Sequence, residues 1–144
     1  VIGGTPRERV HSAAVNIWRS ARSHRNVTAL ASSVGATTLL ELPLEVAVLA
    51  ELDAAGVRGA AARDALQAVL SCIAGFLVTA WRPPEERPEG LRPSDVWGRV
   101  DDPRLPRATI RAVSRPADLD RLAERTLRSI VDGLVADAEP ERGR

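Results

Sequence analysis

Few side chains in this sequence could carry chemistry, and the sulfur and imidazole groups are only three: His11, His24 and Cys72. Neither histidine lies in a Ser/His/Asp or Cys/His arrangement that the sequence reveals, and no His-x-x-x-His or Cys-x-x-Cys spacing supports a metal site. A reactive cysteine needs exposure and a cationic neighbour, whereas Cys72 falls in an apolar stretch. We therefore predict no enzyme, no metal and no cofactor, with Cys72 packed as a small hydrophobe.

The aromatic residues allow two interpretations. Trp18, Phe76 and Trp81 could be core packing, or they could line an apolar cavity between helices, where ligand pockets often lie. A cavity also needs a few polar groups, and the candidates for these are His11, Asn16, Thr79 and Arg22. Both interpretations stay open at this point.

Hydrophobic periodicity predicts an all-α fold of about six helices in a bundle-like packing. A capping box, Thr5-Pro6-Arg7-Glu8, begins the first helix. Asn26 is a candidate cap for a short second helix, Gly56 a left-handed end for the third, and Asp118 a cap for the last. The predicted spans are 5–24, 26–33, 38 or 43 to 56, 60–81, 104–114 and 117–137, all approximate.

The remaining segments are assigned by composition. We expect one domain over 1–144, with a Pro-rich loop at about 82–102 that contains one turn near 94–97, and a frayed, charged tail at 138–144. The apolar run 68–81 is shorter than a membrane span of ~20 residues. No signal peptide is recognisable, so we expect a cytoplasmic protein that makes no membrane contact.

Charge argues against nucleic-acid binding by this chain. All 20 basic residues are arginine, and the net charge is only +1. Such a balance leaves no electrostatic footprint for a phosphate backbone, so we expect negligible duplex-DNA binding at physiological salt. The absence of Met suggests that an upstream part has been removed. Any DNA-binding element would have to lie in that part.

The fourth predicted helix is apolar on two sides. Small residues form one stripe (Ala68, Cys72, Gly75 and Thr79), and large residues form the other (Leu66, Leu70, Ile73 and Leu77). A helix that is apolar nearly all round must be buried nearly all round. In so small a domain this predicts contact with both its own core and a partner subunit.

Three segments, in this order, resemble the regulatory C-terminal domain of TetR-family bacterial transcriptional regulators. The run 42–57 ends in Ala54-Ala55-Gly56-Val57, similar to the family's third helix. Ile73-Ala74-Gly75-Phe76 is similar to a step in its dimerisation helix, and Val131-Asp132-Gly133-Leu134 resembles the closing helix. The resemblance implies a ligand-sensing homodimer, most often of a repressor, which binds operator DNA only through an N-terminal helix-turn-helix that this chain lacks.

Within that resemblance, an apolar or amphipathic effector would lie between the first, third, fourth and last helices. Positions facing the interior are the candidate ligand-binding residues: Ala14, Trp18, Ala21, Val48, Leu49, Cys72, Phe76, Thr79, Leu122 and Thr126. The large stripe and the last helix supply the candidate dimerisation residues: Leu66, Leu70, Ile73, Leu77, Leu127, Ile130 and Leu134. There are two alternatives to this function. The first is an all-α dimeric interaction module without a ligand, and the second, ranked below it, is a small helical enzyme.

Overall fold

The computed structural model describes residues 3–28, 37–81 and 87–138. These ranges contain helices and turns but no strand, so the predicted all-α class is confirmed. Residues 139–144, which hold nearly all of the predicted frayed tail, lie outside them, as do residues 82–86 of the predicted loop. Seven helical segments follow one another in the described ranges: α1 Pro6–Ser23, α2 at residues 25–28, α3 Thr37–Ala54, α4 Gly59–Trp81, α5 Pro93–Trp97, α6 Arg107–Val113 and α7 Leu119–Ala138.

The capping box at the start of α1 is formed as the sequence predicts. The backbone N–H of Glu8 donates to Thr5 Oγ1 over 3.3 Å, and the backbone N–H of Thr5 donates to Glu8 Oε2 over 2.7 Å. Pro6 stands at the first helical position, where its missing N–H costs nothing. These hydrogen bonds favour the ionised carboxylate and lower the pKa of Glu8.

The second helix does not begin as predicted. Asn26 lies inside α2 instead of capping it, because α1 passes into α2 through a single turn residue, His24. The N–H of His24 donates to the Ser20 carbonyl at the end of α1, and the N–H of Thr28 donates to the His24 carbonyl at the start of α2, so the cap position falls at His24 and not at Asn26. The predicted continuation to residue 33 lies outside the described residues.

A Schellman turn separates α3 from α4. The N–H of Val57 donates to the Leu52 carbonyl over 2.9 Å and that of Gly56 to the Asp53 carbonyl over 3.0 Å. Gly56 has a φ of +89°, which only glycine adopts without strain, so the predicted left-handed end is confirmed. Helix α3 begins before Pro43, which lies inside it.

The later helices follow the predicted order with one changed boundary. The expected turn near 94–97 is α5, and Asp118 caps α7 by accepting from the N–H of Arg121 over 3.1 Å. Helix α6 starts at Arg107 instead of near 104, because Pro106 occupies its N-cap and Asp102 binds the backbone N–H of Arg104 in the turn before it.

Four helices share one core. Helix α1 packs against α3 and α7, and α4 packs against α7 and α3. Ion pairs between Arg9 and Glu51 and between Arg7 and Asp132 join the start of α1 to the ends of α3 and α7, so both helices run antiparallel to α1. Helices α5 and α6 pack mainly on each other and bury no residue fully.

The core predicts which leucine matters most for stability. Leu127 on α7 is fully buried, whereas Leu91, before α5, is 61% exposed. We expect Leu127→Ala to lower the free energy of unfolding by about 2–5 kcal/mol, because it removes buried surface and leaves a cavity. Leu91→Ala, the matched control, should change it by less than about 0.5 kcal/mol. Urea denaturation of both variants measures the difference, and equal losses would contradict this core.

Candidate functional site

Seven of the ten candidate ligand-binding residues lie in or against the shared core. Four are buried: Ala14, Trp18, Ala21 and Val48. Three more are partly buried and pack against them: Leu49, Cys72 and Phe76. The structure therefore brings residues of α1, α3 and α4 together as the helix positions predicted.

The other three candidates lie elsewhere. Thr79 is exposed, and its hydroxyl donates to the Gly75 carbonyl of its own helix over 3.1 Å, so it offers no group to the interior. Leu122 is 40% exposed and Thr126 half-buried. The buried face of α7 is formed instead by Ala123, Leu127, Val131 and Val135. The assignment of Thr79, Leu122 and Thr126 to the interior is therefore corrected. For Leu122 and Thr126 the reason is that the buried face of α7 is centred on other residues.

An aromatic pair stands at the centre of the assembled residues. The rings of Trp18 and Phe76 meet edge to face, with centroids 5.9 Å apart and planes at 63°. Trp18 is fully buried, and its indole N–H donates to Asp120 Oδ1 over 3.1 Å. A buried indole N–H without an acceptor is costly, so this bond fixes how α7 sits on α1.

Charged groups cover the tryptophan from outside. The guanidinium of Arg22 lies 5.8 Å from the centroid of the Trp18 ring and also pairs with Asp120. One turn along, Arg19 pairs with Glu124. Together with Ser23 these four residues line an open cleft of about 550 Å³ between α1 and α7.

A second cleft, of about 390 Å³, opens beside the start of α1. It is lined by residues of the α1 start and by the ends of α3 and α7: Thr5, Pro6, Arg7, Ala54, Ala55 and Val135. None of the ten candidate ligand-binding residues lines either of these two clefts. Seven of the candidates are thus packed together in or against the core, and none of the ten stands on the walls of these clefts.

The histidines show no catalytic arrangement. His11 is half-buried, and its Nε2 lies 3.4 Å from the Glu124 carbonyl oxygen. His24 contacts the Ser20 carbonyl of its own helix. Glu8 precedes His11 by three residues, a spacing that sequence inspection missed and that suits two ligands on a helix, but its carboxylate is held by Thr5. No group of three or more candidate metal ligands occurs among the described residues.

The large stripe of α4 faces the chain's own core, whereas the sequence predicted that it faces a partner subunit. Ile73 and Leu77 of the large stripe are buried in the chain's own core, and Leu127 on α7 is buried with them. These three therefore cannot face a partner. Leu66 and Leu70, with Ile130 and Leu134 on α7, are half-buried and pack against the edge of that core.

Uncharged residues instead face outward in one row along each of the two helices. On α4 we define the outer seam as Gln67, Ser71, Ala74 and Val78, and on α7 as Leu122, Thr126, Ser129 and Gly133. All eight are exposed except the half-buried Thr126. Each set is spaced i, i+4, i+7, i+11, the repeat of residues that face another helix. The two seams lie on helices that pack side by side.

Helix α4 also has the length and composition of a membrane span. One stretch in the described part of the chain, Gly59–Ala80, passes such a test, with 28% of its most apolar window buried. The helix is thus longer than the apolar run considered in the sequence. Because core helices of soluble proteins pass the same test, this is weak evidence, and the contacts of α4 with α3 and α7 account for one face of it.

Sequence inspection missed Arg19, Asp120 and Glu124, which line the first cleft. These residues are separated by about a hundred positions, and only the antiparallel packing of α1 and α7 brings them together. One signal was present, because Arg19 lies four residues before Ser23 and Arg22 lies next to it. Exposed charge at a helix end is common, however, so this spacing is not specific. The sequence alone gave no reason to select them.

No protein-family model matches the chain, and searches of curated proteins and of solved structures give no significant match.

The environment of Cys72 yields a test of its assigned packing role. Burial raises the pKa of the Cys72 thiol, so at neutral pH the folded chain holds it as the unreactive thiol. We expect iodoacetamide to alkylate Cys72 more slowly in the folded chain than in urea, and the folded rate to keep rising above pH ~8.5, where an ordinary thiol is half ionised. Mass spectrometry of timed samples gives both rates. A folded thiol that reacts faster would mark a redox site instead.

Proposed function

We propose that this chain is the effector-sensing and dimerising domain of a cytoplasmic bacterial TetR-like transcriptional regulator, acting as a repressor. In this proposal a small apolar or amphipathic molecule favours one arrangement of a homodimer. The affinity of an operator-binding helix-turn-helix outside these 144 residues for DNA then changes. The necessary condition is a difference in ligand affinity between two arrangements of the dimer.

The observation that carries the proposal is the pair of outer seams on α4 and α7. Val78 is 62% exposed and Leu122 40% exposed, although both lie on long helices whose other faces form the core. Two hydroxyl groups on the seams are bound within their own helices, since Ser129 donates to the Arg125 carbonyl and Ser71 accepts from the Gln67 amide. Such a surface is uncharged and regularly spaced, which suits the packing of two helices against two.

A twofold axis would make this contact self-complementary. Small residues allow helix axes to approach closely, and no side chain within 4 Å crowds a Cβ placed at Gly75 or Gly133. In a twofold dimer each seam meets its own copy or that of its neighbour, so one surface serves both subunits. The dimer residues proposed are therefore the outer seams, in place of the buried Ile73, Leu77 and Leu127.

The ligand part of the proposal draws on the aromatic pair and its neighbours. Trp18 and Phe76 are the only rings in contact among the described residues, and alanines 14 and 21 lie one turn from Trp18 on either side. Aromatic rings beside small residues, with polar groups at one end, are typical of pockets for amphipathic molecules. Asp120 and Arg22 supply that polar end.

The rival function is a dimeric adaptor without a ligand. It is favoured by one observation, that none of the candidate ligand residues lines either of the two described clefts and seven of them are packed in or against the core. An adaptor would need the outer seams but no pocket. The two functions therefore share the dimer and differ in whether a small molecule stabilises it.

Val78→Arg tests the dimer. Placing an arginine on the outer seam of α4 puts like charges against each other across a twofold axis, so we expect a monomer where the wild type is a dimer at micromolar concentration. Val96→Arg, at an exposed valine of α5 away from the seams, is the matched control and should remain dimeric. Light scattering gives the masses, and circular dichroism confirms that both variants are folded. A monomeric wild type, or a dimeric Val78→Arg, contradicts the seam.

Thermal melts separate the sensor from the adaptor. A sensor should show a raised Tm with at least one member of a panel of apolar and amphipathic compounds, because a ligand that binds only the folded state stabilises it. Cys72→Trp, which adds volume beside Phe76, should abolish that rise while leaving the dimer folded. If the variant instead loses ~1–3 kcal/mol by overpacking and no compound raises the wild-type Tm, the adaptor is the better function.

A further inference from the structure

The cleft between α1 and α7 has more hydrogen-bond donors than acceptors. Each arginine carries five N–H donors, and the ion pairs of Arg19 and Arg22 use one nitrogen each. Ser23 adds a hydroxyl at the rim. On the other side, Asp120 Oδ1 already accepts from both Trp18 and Arg22, and Glu124 accepts from Arg19. Unused donors therefore outnumber unused acceptors, which favours a guest rich in acceptors.

The charged pairs are also easily rearranged. The side chains of Arg22 and Asp120 are 45% and 53% exposed, and those of Arg19 and Glu124 are 62% and 39% exposed. Ion pairs in such positions are weak, because water solvates both partners when they part. An incoming anion can therefore take the place of a protein carboxylate on an arginine at little cost.

The cleft connects directly to the buried aromatic pair. Arg22 and Asp120 line the cleft, and both also contact Trp18, one over the ring and the other at the indole N–H. Trp18 in turn contacts Phe76 on α4. The buried ring of Trp18 therefore lies next to the two residues that form this ion pair of the cleft.

We propose that this cleft is the head-group site for an amphipathic carboxylic acid. The carboxylate lies between Arg19 and Arg22, displaces Asp120 from Arg22, and leaves the apolar part of the molecule against Trp18. This inference rests on the proposed sensing function and names the ligand class that it would use. A guanidinium presents paired donors that match the two oxygens of a carboxylate.

The test uses three eight-carbon probes with the same tail, which are octanoate, 1-octanol and octylamine. The chain carries Trp81→Phe and Trp97→Phe, so that Trp18 is its only tryptophan. Calorimetry gives each Kd, and Trp18 emission reports whether the probe reaches the indole. We expect octanoate to bind about tenfold more tightly than 1-octanol, from one charge-assisted contact, and octylamine to bind most weakly.

Three variants locate the site. Arg22→Gln should raise the Kd for octanoate about tenfold and leave that for 1-octanol unchanged. Arg121→Gln, on the same helix as Asp120 but not lining the cleft, is the matched control and should change neither. Asp120→Asn keeps an amide oxygen to accept from Trp18 but removes the competing charge, so octanoate should bind more tightly to it.

The outcomes separate the two proposals. Equal binding of octanoate and 1-octanol, tighter binding of octylamine, or an Asp120→Asn variant that binds octanoate more weakly overturns the carboxylate site while leaving a sensor of apolar molecules intact. If no probe binds, the carboxylate site is overturned, and the thermal melts with the wider panel of apolar and amphipathic compounds decide separately between the sensor and the adaptor. The dimer measurement with Val78→Arg is independent of all three probes.

Discussion

The burial of Trp18 sets the arrangement of the helices around it. The ring of Trp18 on α1 is fully buried and contacts Phe76 of α4, and its N–H needs an acceptor that water can no longer supply. Asp120 provides that acceptor from the first turn of α7. The bond therefore fixes both the position of α7 along α1 and the place where the charged cleft opens.

Local sequence signals predicted much of this fold. The Thr5–Glu8 capping box, the left-handed Gly56 and the Asp118 cap each act within a few residues, so their geometry follows from residue type and spacing. The failures are equally local in origin. Asn26 is a good cap in isolation, but the backbone hydrogen bonding of α2 begins at the His24 carbonyl, so the cap position falls two residues before Asn26.

Which face of a helix is buried could not be settled in the same way. Helix α4 is apolar on both sides, so its periodicity does not distinguish core from outer surface, and the contact with Phe76 and Trp18 decides the matter. The large residues Ile73 and Leu77 then fill the core, where they bury more surface. The cleft was beyond prediction altogether, because Arg19 and Glu124 meet only through long-range packing.

The proposed site and the proposed dimer surface are linked through a short chain of contacts. Asp120 holds the indole of Trp18, Trp18 meets the edge of Phe76, and Phe76 lies two residues from Val78 on the same helix. A ligand that draws Asp120 away from Arg22 changes how Asp120 is held at one end of this series of contacts. Val78, at the other end, lies on the outer seam. Because a helix moves as a rigid body, a shift or rotation of α4 at Phe76 displaces Val78 by a similar amount. Coupling between ligand and dimer thus requires only that the two arrangements of α4 differ in their contact with Trp18.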